Sequence, residues 1–376
     1  MKNTVNKTKI IFKNGSRIAL KKILKNKKTL IVCTKNGKQR ILNDKKLKFF
    51  NNLKITWLSD VTPNPSLNYM RKINKILHNI KFDYILGFGG GSTIDTAKTV
   101  KVLITRNEKT IKNLFKDNLI SVKDNTRLIA IPTTSGTGSE VTSYATIWDN
   151  SNKKKLSLNL NFLYPDLAIV DPELTYNLPI EDTVSTGLDA FNQAFESSIW
   201  NKNKNKKIDK YGKISISYAL HALPNLIKNK NSKKDRNKMA LSSLYAGLCI
   251  SANRTSLCHS MSYPMTANLN MPHGLACAVT MIPVIKYIYS KDKFFFKDLI
   301  KELNCKSYNQ FLNTIEKLFK TVQLKNKSKI FIKNKREFLK LSKEMYTPGR
   351  ADNFTYPINT ILIKQIISKT YDWINS

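Results

Sequence analysis

Up to Asp171-Pro172 the chain alternates short apolar runs with stretches whose apolar residues recur at helical spacing, and this alternation constrains its fold more than any other feature. TLIVCT at 29–34 reads as a buried strand, 67–80 as a helix and YILGF at 84–88 as the next strand. A further helix opens at Gly91, and RLIAIP at 127–132 reads as another strand. Strands separated by helices predict a parallel sheet covered on both faces. Beyond residue 178 strand signals nearly vanish and helical periodicity runs to the end, broken by polar loops such as 201–206. The expected organisation is an α/β domain over 1–178 and an all-helical domain over 179–376. The Lys/Asn-rich stretch 325–336 is expected to be a helix–helix loop.

With 376 residues the chain can bury two cores. No uninterrupted apolar stretch approaches the roughly 18 residues of a membrane span. Residues 1–14 are basic but apolar only at 10–12, too short for a secretory signal, so a cytoplasmic protein with no membrane partner is expected. The formal charge of +38 invites a nucleic-acid reading. Against it, lysine far outnumbers arginine, the lysines are spread along the chain, and no aromatic-interleaved basic patch or reader motif is present. Solvated faces account for the charge, no nucleic-acid partner is expected, and the field should draw anionic ligands. Five scattered cysteines without a CxxC pair argue against a disulfide framework or a thiolate zinc knuckle.

Four segments carry chemistry. Gly89, Gly90, Gly91 and Ser92 follow a predicted strand and precede a predicted helix. Glycines there let a pyrophosphate approach the backbone at a helix N-terminus, with Ser92 and Asp95 as hydroxyl and cap; a ligand-free tight turn reads equally well. PTTSGTGSE at 132–140 again follows a strand, and its small hydroxylic residues suit phosphate and nicotinamide contacts, or a polar loop with a helix cap. Both loops fall at the C-terminal ends of parallel strands, where open α/β sheets collect ligands. In TGLDAFNQAFE at 186–196, Asp189 and Gln193 share a helix face with Glu196 one turn on, although Asp189 by itself reads as a cap. Finally, His259 and His273 lie fourteen residues apart, with Tyr263 four after the first and Pro272 expected to start a helix. Two imidazoles and a carboxylate make a His₂Asp site with room for an exchangeable ligand, or the histidines are unrelated.

Together, Pro63-Asn64-Pro65, GGGS at 89–92, PTTSGTGSEVT at 132–142, PDLAIVDPELT at 165–175, TGLDA at 186–190 and both histidine segments resemble the iron-containing alcohol dehydrogenase family over nearly the whole chain. The resemblance implies the dehydroquinate synthase-like fold of that family, a Rossmann-like N-terminal domain followed by a helical one. It implies an NAD(P)-dependent oxidoreductase acting on a small alcohol or aldehyde, with a homodimer as the candidate assembly. Cofactor contacts are then expected from Gly89, Gly90, Gly91, Ser92, Asp95, Thr133, Thr134, Ser135, Thr137, Ser139 and Lys155.

In that family an aspartate and three histidines hold a divalent metal, Fe(2+) or Zn(2+). Asp189, His259 and His273 match three positions, while Gln193 replaces the remaining histidine and offers a weaker carbonyl donor. Tyr263 stands where many relatives carry a histidine linked to proton transfer. Residues 253–266, with Gln193-Ala194 and Glu196-Ser197, are similar to the branch of phosphonoacetaldehyde reductases, which form 2-hydroxyethylphosphonate in phosphonate biosynthesis. Arg254 is the expected phosphonate clamp, with Arg350 a second, and a surface ion pair the plainer role for Arg254. Thr34-Lys35 stands where NAD-selective relatives place an aspartate, which favours NADPH over NADH and leaves both usable. The alternatives are a dehydrogenase for another short-chain alcohol or hydroxy acid, and a non-catalytic basic nucleic-acid-binding or scaffold protein.

Overall fold

The alternating first half builds a layered sheet. The computed structural model describes residues 6–77, 80–106, 125–149, 151 and 154–376. Its strands are β1 (Lys9–Phe12), β2 (Thr29–Val32), β3 (Ile55–Leu58), β4 (Tyr84–Gly89), β5 (Arg127–Pro132), an antiparallel hairpin of β6 (Tyr144–Asp149) and β7 (Lys154–Asn159), and β8 (Leu167–Val170). Six of them pair in parallel in the order β1-β8-β5-β4-β2-β3. The long register of β4 on β5, from Tyr84↔Arg127 to Gly89↔Pro132, brings the ends of both strands side by side. Because β3 lies at one edge and β4 returns to the other side of β2, the order reverses there, which is where nucleotides settle on such sheets.

The period of two sorts β2 onto both faces. Leu30 and Val32 join Met70 and Ile73 of α3 (Leu67–Leu77) and Ala97 and Val100 of α4 (Gly91–Arg106). Ile31 and Cys33 pack instead with Leu20 of the short α1 (Leu20–Ile23) and Ile41 of α2 (Lys35–Asn43). The helix expected over 67–80 ends at Leu77 among described residues, with 78 and 79 outside them.

The chain divides into two compact units, Met1–Thr134 with Ser139–Thr175, and Ser135–Gly138 with Tyr176–Ser376. The second unit is helical, and its site is built on α5 (Ile180–Ala194), α6 (Lys206–Lys228), α7 (Lys233–Asn253), α8 (Leu257–Leu269) and α9 (His273–Ala278). Its core joins Leu188 and Phe191 of α5 to Leu223 of α6, Met261 of α8, Ala276 of α9 and Ile366 of the terminal helix Thr360–Asn375. The excursion Ser135–Gly138 packs into this unit. A Cβ on Gly138 (φ 62°) would stand 2.3 Å from the Gly247 Cα, so the turn needs glycine for its φ and for the close approach.

One expectation is corrected. The stretch 325–336 is not wholly loop, because Leu324–Lys329 is a short helix. Leu324 and Ser328, four apart, are buried together, and the Lys327 ammonium donates to Glu181 at 2.5 Å, so one turn gains an inner face despite its polar composition. Among the described residues no helix is long and apolar enough to cross a membrane.

Candidate functional site

In the sheet unit, the two predicted phosphate loops meet. The Thr133 N–H donates to the Gly89 carbonyl at 3.0 Å, and a Cβ on Gly90 would lie 3.3 Å from the Thr134 side chain. Gly91 opens the long helix α4, so its first N–H groups lie beside β4 and β5 with no acidic side chain in the first turn. Ser92 Oγ accepts from the Asn64 N–H at 3.3 Å. Thr34, one residue past β2, caps α2 by accepting from the Gly37 N–H at 2.9 Å.

Two expected cofactor contacts are occupied otherwise. The half-buried Asp95 carboxylate accepts from Ser139 Oγ at 2.5 Å and from the Thr146 N–H at 2.9 Å. Lys98 Nζ donates to the carbonyls of Ser139, Thr142 and Tyr144 at 2.6, 2.7 and 2.8 Å. Burial pushes the Lys98 ammonium down to about 8, against the pull of Asp95 and Glu140. Burial likewise raises the Asp95 carboxyl and lifts Glu140 to about 7. Lys155, on β7, lies within electrostatic reach of Asp95. This network fastens the loop after β5 to α4, so Asp95 and Ser139 shape that loop from behind.

In the helical unit, three helices deliver the predicted metal residues to one point. α5 carries Asp189 and Gln193, α8 carries His259 and Tyr263, and α9 begins at His273 as Pro272 predicts. His259 Nε2 lies 3.2 Å from Asp189 Oδ1, and the two imidazoles sit edge to face with centroids 5.4 Å apart. Cys277, one turn after His273, joins them: one donor atom from each of Asp189, His259, His273 and Cys277 lies within 4.8 Å of the others. Gly274 makes this possible, because a Cβ there would stand 1.7 Å from the Ser185 carbonyl oxygen, so α9 starts directly against the α5 backbone.

Glu196 anchors the second wall. The chain leaves α5 through a π-helical turn, Phe195–Ile199, in which Glu196 is buried, seven residues after Asp189 and so on its face. Its carboxylate accepts from the Ser256 N–H at 2.5 Å and the His259 N–H at 2.9 Å, and one oxygen stands 3.2 Å from His259 Nδ1. Burial by itself opposes charge on His259, but Cys277, Glu196 and Asp189 outweigh it and hold its pKa well above the ordinary value. Gln193 adds an Oε1 that is buried without a hydrogen-bond partner, while its Nε2 donates to the Thr137 carbonyl at 3.4 Å. A carboxylate, two imidazoles and a thiol within 4.8 Å of one another, with an unsatisfied carbonyl on the same helix face as the carboxylate, fit a divalent cation.

Tyr263 stacks on His273 with ring planes 11° apart and centroids 6.2 Å apart, and the Arg350 guanidinium lies 4.9 Å from the centre of the Tyr263 ring. Arg254 instead ends α7 in the left-handed region (φ 54°) with an exposed side chain. Arg350 thus lies over the ring that stacks on His273. His221 pairs at the surface with Asp235, and His78 lies outside the described residues. Sequence reasoning did not assign roles to Glu196 or Cys277. The four-residue step from His273 to Cys277, the same as from Asp189 to Gln193, was the available signal for the latter.

Comparison with known proteins covers both units. A family model for iron-containing alcohol dehydrogenase matches residues 7–172, and one for the C-terminal part of the same family matches 183–332. The chain is 31% identical over 233 residues to 1-propanol dehydrogenase of Citrobacter freundii, covering 62% of this chain and 59% of that protein. It is 28% identical to the NADPH-dependent butanol dehydrogenase of Clostridium saccharobutylicum, covering 88% and 86%. The match thus spans about three fifths of the first of these relatives and most of the second. In structure it superposes on sulfoacetaldehyde reductase from Bifidobacterium kashiwanohense, a complex with NAD+, with TM-score 0.89, 23% identity and 98% of each chain covered. A 1,3-propanediol oxidoreductase superposes with TM-score 0.87 at 22% identity, covering 96% and 97%. At such identities the superpositions show the fold.

Proposed function

This chain belongs to the iron-containing alcohol dehydrogenase family, and on that premise we propose that it is a metal-dependent, NAD(P)H-linked aldehyde reductase for a short aldehyde with an anionic head group, phosphonoacetaldehyde. The observation that carries this reading is the run of contacts from the cluster of buried Asp189 and His259 with half-buried His273, through the Tyr263 ring, to the Arg350 guanidinium. A carbonyl site and a cation are then joined through one ring, and an anionic head group on the aldehyde would pair with that cation.

In this proposal residues 1–178 form the dinucleotide-binding domain and 179–376 the metal and substrate domain. Gly89, Gly90, Gly91 and Ser92, with Thr133 and Thr134, give the pyrophosphate backbone N–H donors and small side chains. Ser135 and Thr137 contribute from the excursion, and Thr34-Lys35 leaves a 2′-phosphate unopposed, favouring NADPH while admitting NADH. Asp189, His259 and His273 would hold the divalent ion, with Gln193 Oε1 as a further oxygen donor. Bound there, iron or zinc supplies Lewis acidity toward a carbonyl oxygen, and the reduced nicotinamide supplies the hydride. Glu196 keeps the His259 ring oriented, Tyr263 Oη passes a proton to the product oxygen, and Arg350 pairs with the phosphonate, as Arg254 does if its exposed side chain folds inward. The balance is aldehyde plus NAD(P)H plus one proton, giving 2-hydroxyethylphosphonate and NAD(P)+.

A second reading is favoured by the names of the relatives, a dehydrogenase for uncharged propanol- or butanol-sized substrates. A turnover panel on metal-defined protein separates the two, with phosphonoacetaldehyde, sulfoacetaldehyde, propanal and butanal, each with NADH and NADPH. We expect kcat/KM for phosphonoacetaldehyde to exceed that for the uncharged aldehydes by about tenfold or more, the worth of one charge-assisted pair. Equal or higher values for propanal and butanal overturn the anionic-substrate reading and leave the second one. A preference for sulfoacetaldehyde overturns only the choice of phosphonate.

A further inference from the structure

We propose that Cys277 is a metal ligand, so that the site is Asp-His₂-Cys and the thiolate supplies the fourth protein donor that Gln193 is too weak to give. The inference rests on the reading of Asp189, His259 and His273 as metal ligands and is independent of the substrate.

Distances carry it first. Tetrahedral zinc with bonds of about 2.0–2.3 Å sets neighbouring donors roughly 3.3–3.6 Å apart. His259 Nε2 and Asp189 Oδ1 are separated by 3.2 Å, and Cys277 Sγ lies 3.9 Å from either nitrogen of His273. These separations bracket the tetrahedral value, and all four donors fall within 4.8 Å of one another. A shift of a few tenths of an ångström, within the reach of side-chain rotation, closes the site on an ion.

Register carries it second. His273 and Cys277 are four apart on α9, hence on one face, and Gly274 presses that helix against the Ser185 carbonyl. The backbone that aims His273 therefore aims Cys277 at the same place. The thiol is fully buried, with donor atoms of Asp189, His259 and His273 within 4.8 Å of its sulfur. Cys249, by contrast, is also buried but directs its sulfur to the Ile208 carbonyl of a neighbouring helix.

Gln193 carries it third. Its Nε2 is engaged with the Thr137 carbonyl, and a neutral amide oxygen is a poorer donor to a borderline ion than a thiolate. Binding exchanges the thiol proton for the metal, with the S–H bond broken, the sulfur–metal bond formed and one proton released to solvent. A soft sulfur donor should move the preference of the site from iron toward zinc.

Cobalt(II) added to metal-free full-length protein tests this without any turnover. We expect one ion per chain and a strong near-ultraviolet thiolate-to-cobalt charge-transfer absorption. Cys277→Ser should lose that absorption while keeping the weaker visible bands, and should bind zinc about tenfold or more weakly in chelator competition, a floor set by the effect of losing an outer-shell partner. Cys258→Ser, beside His259, should keep the absorption. Wild-type protein that binds cobalt through His273 without the charge-transfer absorption overturns the proposal, whatever the folding of any variant. So does persistence of the absorption in Cys277→Ser. Unchanged cobalt binding in His273→Ala overturns the metal reading itself, a result separate from the failure of Cys277 alone.

Discussion

Replacing Glu196 with glutamine should weaken metal binding through a residue that is not itself a ligand candidate. The carboxylate is fully buried and holds two backbone N–H groups, of Ser256 at 2.5 Å and His259 at 2.9 Å, at the start of the helix that carries His259. In Glu196→Gln one oxygen becomes an amide NH2, so one of those N–H groups faces a donor and is left unsatisfied, at about 1–3 kcal/mol. The other bond loses its charge assistance, about 1 kcal/mol more. The loss of about 2–4 kcal/mol falls on the first turn of α8, which carries His259, and removes the charge 3.2 Å from His259 Nδ1. Outer-shell partners of this kind are worth roughly 10- to 100-fold in metal affinity. Chelator competition for zinc, run beside thermal unfolding of the metal-free protein, reads both effects. Glu196→Asp keeps the charge at shorter reach and should recover part of the affinity. A lowered melting temperature with unchanged metal affinity would make Glu196 a structural residue only and refute the positioning argument, and no change in either would refute the hydrogen-bond accounting.

Gly274→Ala should cost at least about 1–3 kcal/mol of stability and weaken metal binding together, because its Cβ would stand 1.7 Å from the Ser185 oxygen; unfolding in urea and zinc competition measure the two. Glu140, whose carboxyl burial lifts from 4.5 to about 7, keeps its proton in the native state where the unfolded chain has lost it. Its contribution to stability should therefore be full below about pH 4.5 and decline as pH rises toward 7, and the urea midpoint of Glu140→Gln should show a flatter dependence across that window. Arg350→Met should raise KM for phosphonoacetaldehyde by about ten- to a hundredfold and that for butanal little, with Arg350→Lys recovering part of the difference. Equal losses for both aldehydes would make Arg350 a packing residue, and in the same assay Arg254→Met shows whether the exposed arginine contributes.

The sheet was legible where its strands are buried on both faces. TLIVCT, YILGF and RLIAIP are runs that only a central parallel strand explains, and they became β2, β4 and β5. Edge strands carry a weaker signal. β1 is KIIF with its first residue exposed, and β3 is ITWL with three of four residues half-buried, so neither stands out from a helix flank or a loop. β8 lies inside PDLAIVDPELT, where only four residues are strand and the prolines on either side mask its length. The short helix Leu324–Lys329 escaped because its inner face is one leucine and one serine, too little for any periodicity count.

The site divides by a different rule. Residues that hold their roles through local spacing could be read: Asp189 with Gln193, His259 with Tyr263, and the helix start after Pro272. Roles set by backbone geometry or by distant packing could not. Spacing alone puts Glu196 on the Asp189 face, seven residues on, but its partners, the Ser256 and His259 N–H groups, are 60 and 63 residues away along the chain and leave no local pattern. Arg254 and Arg350 show the same limit from the other side. Sequence proximity to His259 favoured Arg254, five residues away, yet the left-handed end of α7 leaves its side chain exposed. Arg350 is 87 residues from Tyr263 along the chain and meets its ring because Ser260, on α8, ties the incoming segment down: its Oγ donates to the Met345 carbonyl at 2.7 Å and accepts from the Thr347 N–H at 2.8 Å. One hydroxyl, three residues before Tyr263, thus holds down the segment that brings Arg350 to that ring.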